Sequence, residues 1–134
     1  MVKFPSKEWM DLYVERLKSN DIYKDSARDW EGDITFVCRA DGPLKNDIAM
    51  WLDLYHGECR DARYFQNASD APKSAFRYIG PFGNWVKLIQ GQIDPLQGVL
   101  TGKFKLEGPM MKIMRYTKAA KELVRTASKI DTEF

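Results

Sequence analysis

Apolar residues recur at two different periods along this chain, and the period predicts which segments are helices and which are strands. The first segment has helical spacing, carried by Trp9, Leu12, Tyr13 and Leu17. Ser6 precedes it and is a suitable N-cap. Asn20 and the following aspartate predict the end of this helix and the start of a second, short one that reaches about Trp30. Gly32 then closes the helical section.

Alternation at a period of two follows and predicts four strands. Their ranges are Asp33–Ala40, Asp47–His56, Cys59–Phe65 and Ser74–Ile79. A loop with strong turn chemistry, 41–46, separates the first two, and Gly57 marks a tight turn before the third. We therefore expect the first three strands to form an antiparallel meander.

The last third of the chain returns to helical spacing. A turn at 80–84 is expected to supply the N-cap for an apolar stripe formed by Trp85, Leu88 and Ile89. Asp94 caps a further helix, and a short strand is predicted over Lys103–Glu107, with Phe104 and Leu106 pointing one way. Pro109 opens a final helical region. This order of elements predicts one domain, 1–134, with an α+β fold.

Composition narrows the class of protein without identifying its function. Hydrophobic residues make up 44% and charged residues 30%, with a net charge of +2, and no basic stripe indicates a nucleic-acid partner. The C-terminal third is richer in lysine, which favours a solvated helix face over a weak contact with a membrane surface. Those lysines are Lys103, Lys105, Lys112, Lys118, Lys121 and Lys129.

A catalytic or metal site finds little support in the sequence. His56 is the one histidine, and an enzyme would have to pair it with Asp53 or Glu58. Cys38 and Cys59 match no zinc spacing and are expected to be reduced core thiols. We therefore predict no catalytic residue, no metal and no cofactor.

A second interpretation is an interaction module, either a homodimer or an accessory to an enzyme. Its contact patch would be aromatic side chains on an outer sheet face, namely Trp51, Tyr55 and Tyr64. Asp53 shares a face with the first two and is expected to form a cross-strand ion pair with Arg39 or Arg63. Periodicity by itself leaves the apolar residues of the last third open to two interpretations, an ordinary core or the lining of a cavity.

Two neighbouring segments carry a family resemblance. One runs Asn84–Pro95 as NWVKLIQGQIDP, and the other runs Leu100–Gly108 as LTGKFKLEG. A tryptophan-containing helix ending in glycine, an Asp-Pro restart and a Gly-Lys-apolar-Lys-apolar-x-Gly strand resemble the sterol carrier protein type two family. The resemblance implies a five-stranded, mainly antiparallel sheet covered by helices, with an apolar tunnel between sheet and helices.

The same resemblance implies non-enzymatic binding, and transfer, of a small hydrophobic ligand such as a fatty acid, an acyl-CoA or a sterol. By matching position, the ligand-binding residues would be Trp85, Leu88, Ile89, Phe104 and Leu106, with Met110, Met111 and Met114 near the mouth of the tunnel. The chain shows no signal peptide at its start and no peroxisomal signal at its end, so we expect a cytoplasmic, stand-alone, prokaryotic member.

Overall fold

The computed structural model describes all residues, 1–134, and contains six α-helices, one short 3-10 helix (Ala68–Asp70) and seven strands. The helices are α1 (Lys7–Lys18), α2 (Asp21–Ser26), α3 (Phe82–Ile89), α4 (Pro95–Leu100), α5 (Met110–Met114) and α6 (Thr117–Ser128). The strands are β1 (Val2–Lys3), β2 (Ile34–Arg39), β3 (Ile48–Tyr55), β4 (Glu58–Phe65), β5 (Phe76–Pro81), β6 (Lys105–Glu107) and β7 (Thr132–Glu133). No helix has the length and apolar character of a bilayer-crossing span.

Five strands form the main sheet, in the order β4-β3-β2-β5-β6. The pairs β2–β3, β3–β4 and β5–β6 are antiparallel, whereas β2–β5 is parallel. The predicted meander and the predicted α+β fold with a mainly antiparallel sheet are therefore confirmed. In the register, Ile34 lies opposite Leu52 on one side and Phe76 on the other, so one sheet face carries a continuous row of apolar side chains.

The two ends of the chain form a second, very small sheet. β1 and β7 pair in parallel, with Val2 opposite Thr132. The Trp9 indole of α1 donates a 3.0 Å hydrogen bond to Thr132 Oγ1, which ties this pair to the first helix. Strands of two residues carry no readable alternation, and for that reason neither was predicted.

Most predicted helix starts are correct, with one exception. Ser6 Oγ accepts a 3.0 Å hydrogen bond from the first turn of α1, and Asp94 Oδ2 accepts two from the first turn of α4. The N-cap predicted at 80–84, however, is not formed by Asn84. The helix α3 begins at Phe82, and the Asn84 amide donates across to the carbonyl of Lys103 at 2.9 Å.

The last strand of the main sheet is shorter than predicted. It covers Lys105–Glu107, not Lys103–Glu107, so Phe104 lies outside the strand. The Phe104 N–H bonds the carbonyl of Gly98 at 3.0 Å. Because this donor is used by the end of α4, it is not available to continue the ladder with β5.

The outer sheet face carries charged and aromatic side chains, partly as expected. Asp53 forms the predicted cross-strand ion pair, but its partner is Arg60, at 3.1 Å, and neither Arg39 nor Arg63. Tyr64 lies opposite Met50 and therefore belongs to the inner face, which corrects its assignment to the outer one. Both cysteines are buried and free, in agreement with the prediction of reduced core thiols.

Candidate functional site

A cavity of about 100 Å³ lies between the inner face of the sheet and the helices. Of its 23 lining residues, 22 are hydrophobic. The sheet contributes Ile34, Phe36, Cys38, Ile48, Met50, Leu52, Phe76, Tyr78 and Leu106. The helices contribute Trp9, Tyr13, Trp85, Leu88, Ile89, Pro95, Leu96, Val99, Ile113, Ala120, Leu123, Val124 and Ala127, and Phe4 completes the wall.

The polar atoms of Trp85 and Tyr78, two aromatic residues of the wall, form hydrogen bonds within the protein itself. The Trp85 indole donates to the carbonyl of Val37 at 2.9 Å, which joins α3 to β2. The Tyr78 hydroxyl donates to the carbonyl of Pro95 at 2.8 Å, which joins β5 to α4. These bonds fix the rings at the wall and leave their polar ends with a partner.

The helical side shows the same arrangement. The Tyr13 hydroxyl of α1 donates to the carbonyl of Leu123 in α6 at 2.9 Å. No buried side-chain nitrogen or oxygen in the protein lacks a hydrogen-bond partner. The cavity therefore offers a ligand mainly apolar surface, and the buried nitrogen and oxygen atoms of its side chains are bonded within the protein.

Burial also keeps the titratable groups of the wall uncharged. It raises the pKa of the Cys38 thiol to about 12, and it raises the pKa of the Tyr13 and Tyr78 hydroxyls above their ordinary value. At neutral pH these groups are a neutral thiol and neutral phenols. The wall consequently carries no charge that could bind an ionised headgroup inside the cavity.

The side chains considered for catalysis lie outside this cavity. His56 Nε2 is 2.7 Å from Glu31 Oε2 at the surface, and the hydrogen bond lowers the pKa of that glutamate. Asp53 is bonded to Arg60 instead. No group of three or more histidine, cysteine, aspartate or glutamate side chains is arranged to hold a metal ion.

Four of the predicted ligand-binding residues lie in the cavity wall. Trp85, Leu88 and Ile89 face the cavity from α3, as the helical stripe indicated, and Leu106 faces it from β6. Their role in binding a ligand stays a prediction.

Phe104 is buried but lies behind the wall, between two glycines. A Cβ atom built on Gly80 would be 2.5 Å from the Phe104 ring, and one built on Gly98 would be 3.1 Å from it. The ring therefore fills a slot between β5 and α4 that exists because both positions lack a side chain. It stacks on Tyr78, with ring centroids 4.6 Å apart, and so supports a wall residue without lining the cavity.

The three methionines lie on α5 but not in the wall. Met111 is 73% exposed and Met114 48% exposed, and Met110 is half-buried. The α5 residue that reaches the cavity is Ile113. Their proposed position at the mouth of the site stays a prediction.

The helix α5 is attached to the segment that follows α2. Lys112 Nζ donates to the carbonyl of Glu31 and lies 4.9 Å from the centre of the Trp30 ring. Just after α5, the Tyr116 hydroxyl donates to the carbonyl of Asp29 at 3.2 Å. None of the α5 side chains is fully buried, and Ile113 packs against the core in addition to these polar contacts.

Wall residues on α1 and α6 were not predicted, although the sequence contains a signal for them. Trp9 and Tyr13 are four residues apart on α1. On α6 the apolar residues recur at intervals of three and four, as Ala120, Leu123, Val124 and Ala127. The same spacing is found in any helix packed on a core, so it does not separate a cavity wall from an ordinary interior.

Comparison with known proteins agrees with this geometry. The model of the SCP-2 sterol transfer family matches residues 12–121. A crystal structure of sterol carrier protein 2 superposes with a TM-score of 0.87 at 26% identity, covering 96% of this chain and 99% of the other. A conserved hypothetical protein of Thermus thermophilus, named as a candidate sterol carrier protein, gives 0.86 at 25% identity, covering 99% and 93%.

A more distant structure shares the fold alone. The palmitated sterol carrier protein 2-like 2 of Aedes aegypti has a TM-score of 0.56 at 11% identity, covering 84% of this chain and 90% of the other. No curated protein matches the chain. The family model spans most of the chain, and the chain belongs to the SCP-2 sterol transfer family.

Proposed function

We propose that this protein binds the apolar chain of a lipid in the cavity between sheet and helices, and carries it without chemical change. The observation that supports this most strongly is the wall itself, which is apolar on every side and has its polar atoms bonded within the protein. Such a wall binds by burying apolar surface, which contributes about 25 cal/mol per Å².

The ligand class that fits best is a fatty-acyl chain. A cavity of about 100 Å³ is well below the roughly 300–1,000 Å³ of a typical small-molecule site. The wall must therefore move on binding. A narrow, flexible acyl chain requires a smaller displacement than a rigid, wide sterol, because its cross-section is about that of one methylene group.

The helical side is the wall that can move. The strands are connected by a ladder of backbone hydrogen bonds, whereas α4 and α5 are short and pack against α6 through side chains. We expect the acyl chain to enter beside Val99, Leu106 and Ile113, where these elements meet. Its ionised headgroup would remain outside, since no wall atom can pair with it.

The absence of a catalytic role is part of the same proposal. A nucleophile at the cavity would have to be Cys38, and its raised pKa leaves it as the unreactive thiol at neutral pH. His56, the general-base candidate, is at the surface and bonded to Glu31. The wall is therefore suited to binding a ligand by burying its apolar surface, and not to reacting with it.

Native mass spectrometry of the purified protein and titration with a fluorescent fatty acid test the proposal together. We expect a co-purifying molecule of fatty-acid mass, or saturable uptake of the probe with one site per chain. A fatty acid should displace the probe more effectively than a sterol does. A protein that is free of lipid and takes up no probe would contradict the proposal, and stronger displacement by a sterol would contradict the acyl assignment.

A further inference from the structure

The segment that borders the cavity on its helical side has an unusual charge balance. Between positions 95 and 121 there are six basic side chains and a single acidic one, Glu107. Glu107 is already engaged, with Arg77 at 2.9 Å and Lys105 at 3.4 Å. Four exposed cations in this segment form no ion pair within the protein: Lys103, Arg115, Lys118 and Lys121.

The same segment holds exposed large apolar side chains. Leu100 is 66% exposed at the end of α4, and Met111 and Met114 are 73% and 48% exposed on α5. Only four other large hydrophobic residues of the chain are this exposed, and two of those are the terminal Met1 and Phe134. Exposed apolar side chains therefore lie close in the sequence to unpaired cations, as Met114 and Arg115 do, and neither kind of side chain contributes to the core.

These side chains lie next to the cavity. Leu100 directly follows Val99, and Met114 directly follows Ile113, and both of those preceding residues line the wall. Both helices pack against α6. Leu100 on α4, Met111 and Met114 on α5, Arg115 just after α5 and Lys118 in the first turn of α6 are all exposed, and we call them together the α4–α5 surface.

We propose that the α4–α5 surface docks on an anionic lipid bilayer. The unpaired cations supply attraction to negatively charged headgroups, and the exposed leucine and methionines supply apolar contact with the acyl boundary below them. This rests on the proposed lipid-binding function and adds its location to it. Docking there would place the cavity wall against the membrane, so that an acyl chain passes between bilayer and protein without crossing water.

Sedimentation with vesicles tests the proposal. The wild-type protein should bind vesicles of phosphatidylcholine mixed with phosphatidylglycerol, and binding should weaken as salt is raised. Vesicles of phosphatidylcholine alone should bind far less. Equal binding to both, or no binding to either, overturns the proposal.

Paired variants separate the two contributions. Arg115→Gln with Lys118→Gln should weaken binding to the anionic vesicles by about tenfold or more, since each basic side chain near such a surface contributes about a fivefold effect. The matched control is Lys45→Gln with Lys73→Gln, which removes two exposed lysine charges elsewhere. If the control loses as much affinity as the first pair, binding reflects net charge and not this surface, and the proposal fails.

The apolar contribution is tested by Leu100→Gln with Met111→Gln, for which we again expect a loss of about tenfold. Ile22→Gln is the control, because Ile22 is also a large exposed hydrophobic residue, at 43%, but lies on α2. Circular dichroism establishes that each variant is folded. Unchanged vesicle binding by the folded double variant would contradict the proposal.

Uptake of a fluorescent fatty acid in the absence of vesicles keeps the two proposals apart. The Arg115→Gln, Lys118→Gln variant should take up the probe as the wild type does, since neither residue lines the cavity or belongs to its predicted mouth. If the wild-type protein takes up the probe but does not bind vesicles, the proposed lipid-binding function stands and the proposed docking on a bilayer is overturned. Sedimentation velocity adds one outcome: a dimer that these substitutions dissociate would assign the surface to a second copy of the chain and overturn docking on a bilayer.

Discussion

The Trp85 indole and the carbonyl of Val37 form a 2.9 Å hydrogen bond that crosses from α3 to the centre of the sheet. Trp85→Phe keeps an aromatic ring but removes the donor and part of the buried area. We expect the free energy of unfolding to fall by about 1–3 kcal/mol. Urea unfolding followed by circular dichroism measures it.

The control for this substitution is Tyr55→Phe, which removes a hydroxyl from a side chain at the end of β3 that is 36% exposed. It should change stability by less than about 0.5 kcal/mol. Equal urea midpoints for wild type and Trp85→Phe would show that the bond between helix and sheet contributes nothing.

Filling the cavity should abolish ligand uptake. Leu88 lies in the wall and is only 3% exposed, so a tryptophan there would occupy space that the acyl chain needs. We expect Leu88→Trp to stay folded, at a cost of about 1–3 kcal/mol from overpacking, and to lose binding of a fluorescent fatty acid. Ile22→Trp places the same side chain on α2, away from the cavity, and should bind normally. A Leu88→Trp protein with wild-type uptake would show that the ligand binds elsewhere.

The two cysteines give a chemical readout of occupancy. Burial raises the pKa of Cys38 to about 12 and that of Cys59 to about 11. At mildly alkaline pH, Cys38 should therefore react with iodoacetamide roughly a thousandfold more slowly than a thiol with the ordinary pKa of 9.0. The variants Cys38→Ala and Cys59→Ala allow each thiol to be followed alone by mass spectrometry.

Added fatty acid should distinguish the two thiols, because Cys38 lines the cavity and Cys59 does not. We expect the ligand to slow modification of Cys38 further and to leave the rate at Cys59 unchanged. Equal protection of both would indicate a general loss of flexibility on binding, not coverage of Cys38 by the ligand.

Acid should weaken the contact between the last two strands of the main sheet. The hydrogen bond from Arg77, together with Lys105, lowers the pKa of Glu107 below its ordinary value of 4.5. Because the folded pKa is the lower one, the contact stabilises the protein above pH 4.5, and this stabilisation is lost as the pH falls through the folded pKa.

Thermal unfolding at a series of pH values measures this effect. The Tm of the wild type should exceed that of Glu107→Gln above pH 4.5, and the difference should shrink below it. Glu58→Gln, which changes an exposed carboxylate on β4 that forms no ion pair, should show no such trend. A pH-independent difference for Glu107→Gln would point to a lost packing contact.

The sequence predicted the main sheet well because its strands alternate clearly. Ile34, Phe36 and Cys38 face inward at a period of two, and their neighbours face outward. The parallel pairing of β2 with β5 has no such local signature, since it depends on where the chain returns after the long connection between β4 and β5. The two-residue strands β1 and β7 could not be predicted either, because two residues are too few to show an alternation.

The cavity wall was predictable only in part. Trp85, Leu88 and Leu106 face the cavity, in the direction that one helical stripe or one strand alternation indicates. Phe104 lies behind the wall, because its ring fills the space left by Gly80 on β5 and Gly98 on α4, which no local pattern reveals. The alternation of a strand cannot describe a residue that lies just before the strand.

The pairing of β1 with β7 also makes one part of the cavity wall depend on a contact between residues that are far apart in the sequence. The backbone N–H of Phe4, a wall residue, bonds the carbonyl of Glu133 at 2.9 Å. Phe4 and Glu133 are far apart in the sequence, so closing the chain between them costs conformational entropy and this contact forms together with the rest of the fold. The wall at Phe4 thus depends on a long-range pairing, and a change that opens the β1–β7 pair should loosen this part of the cavity.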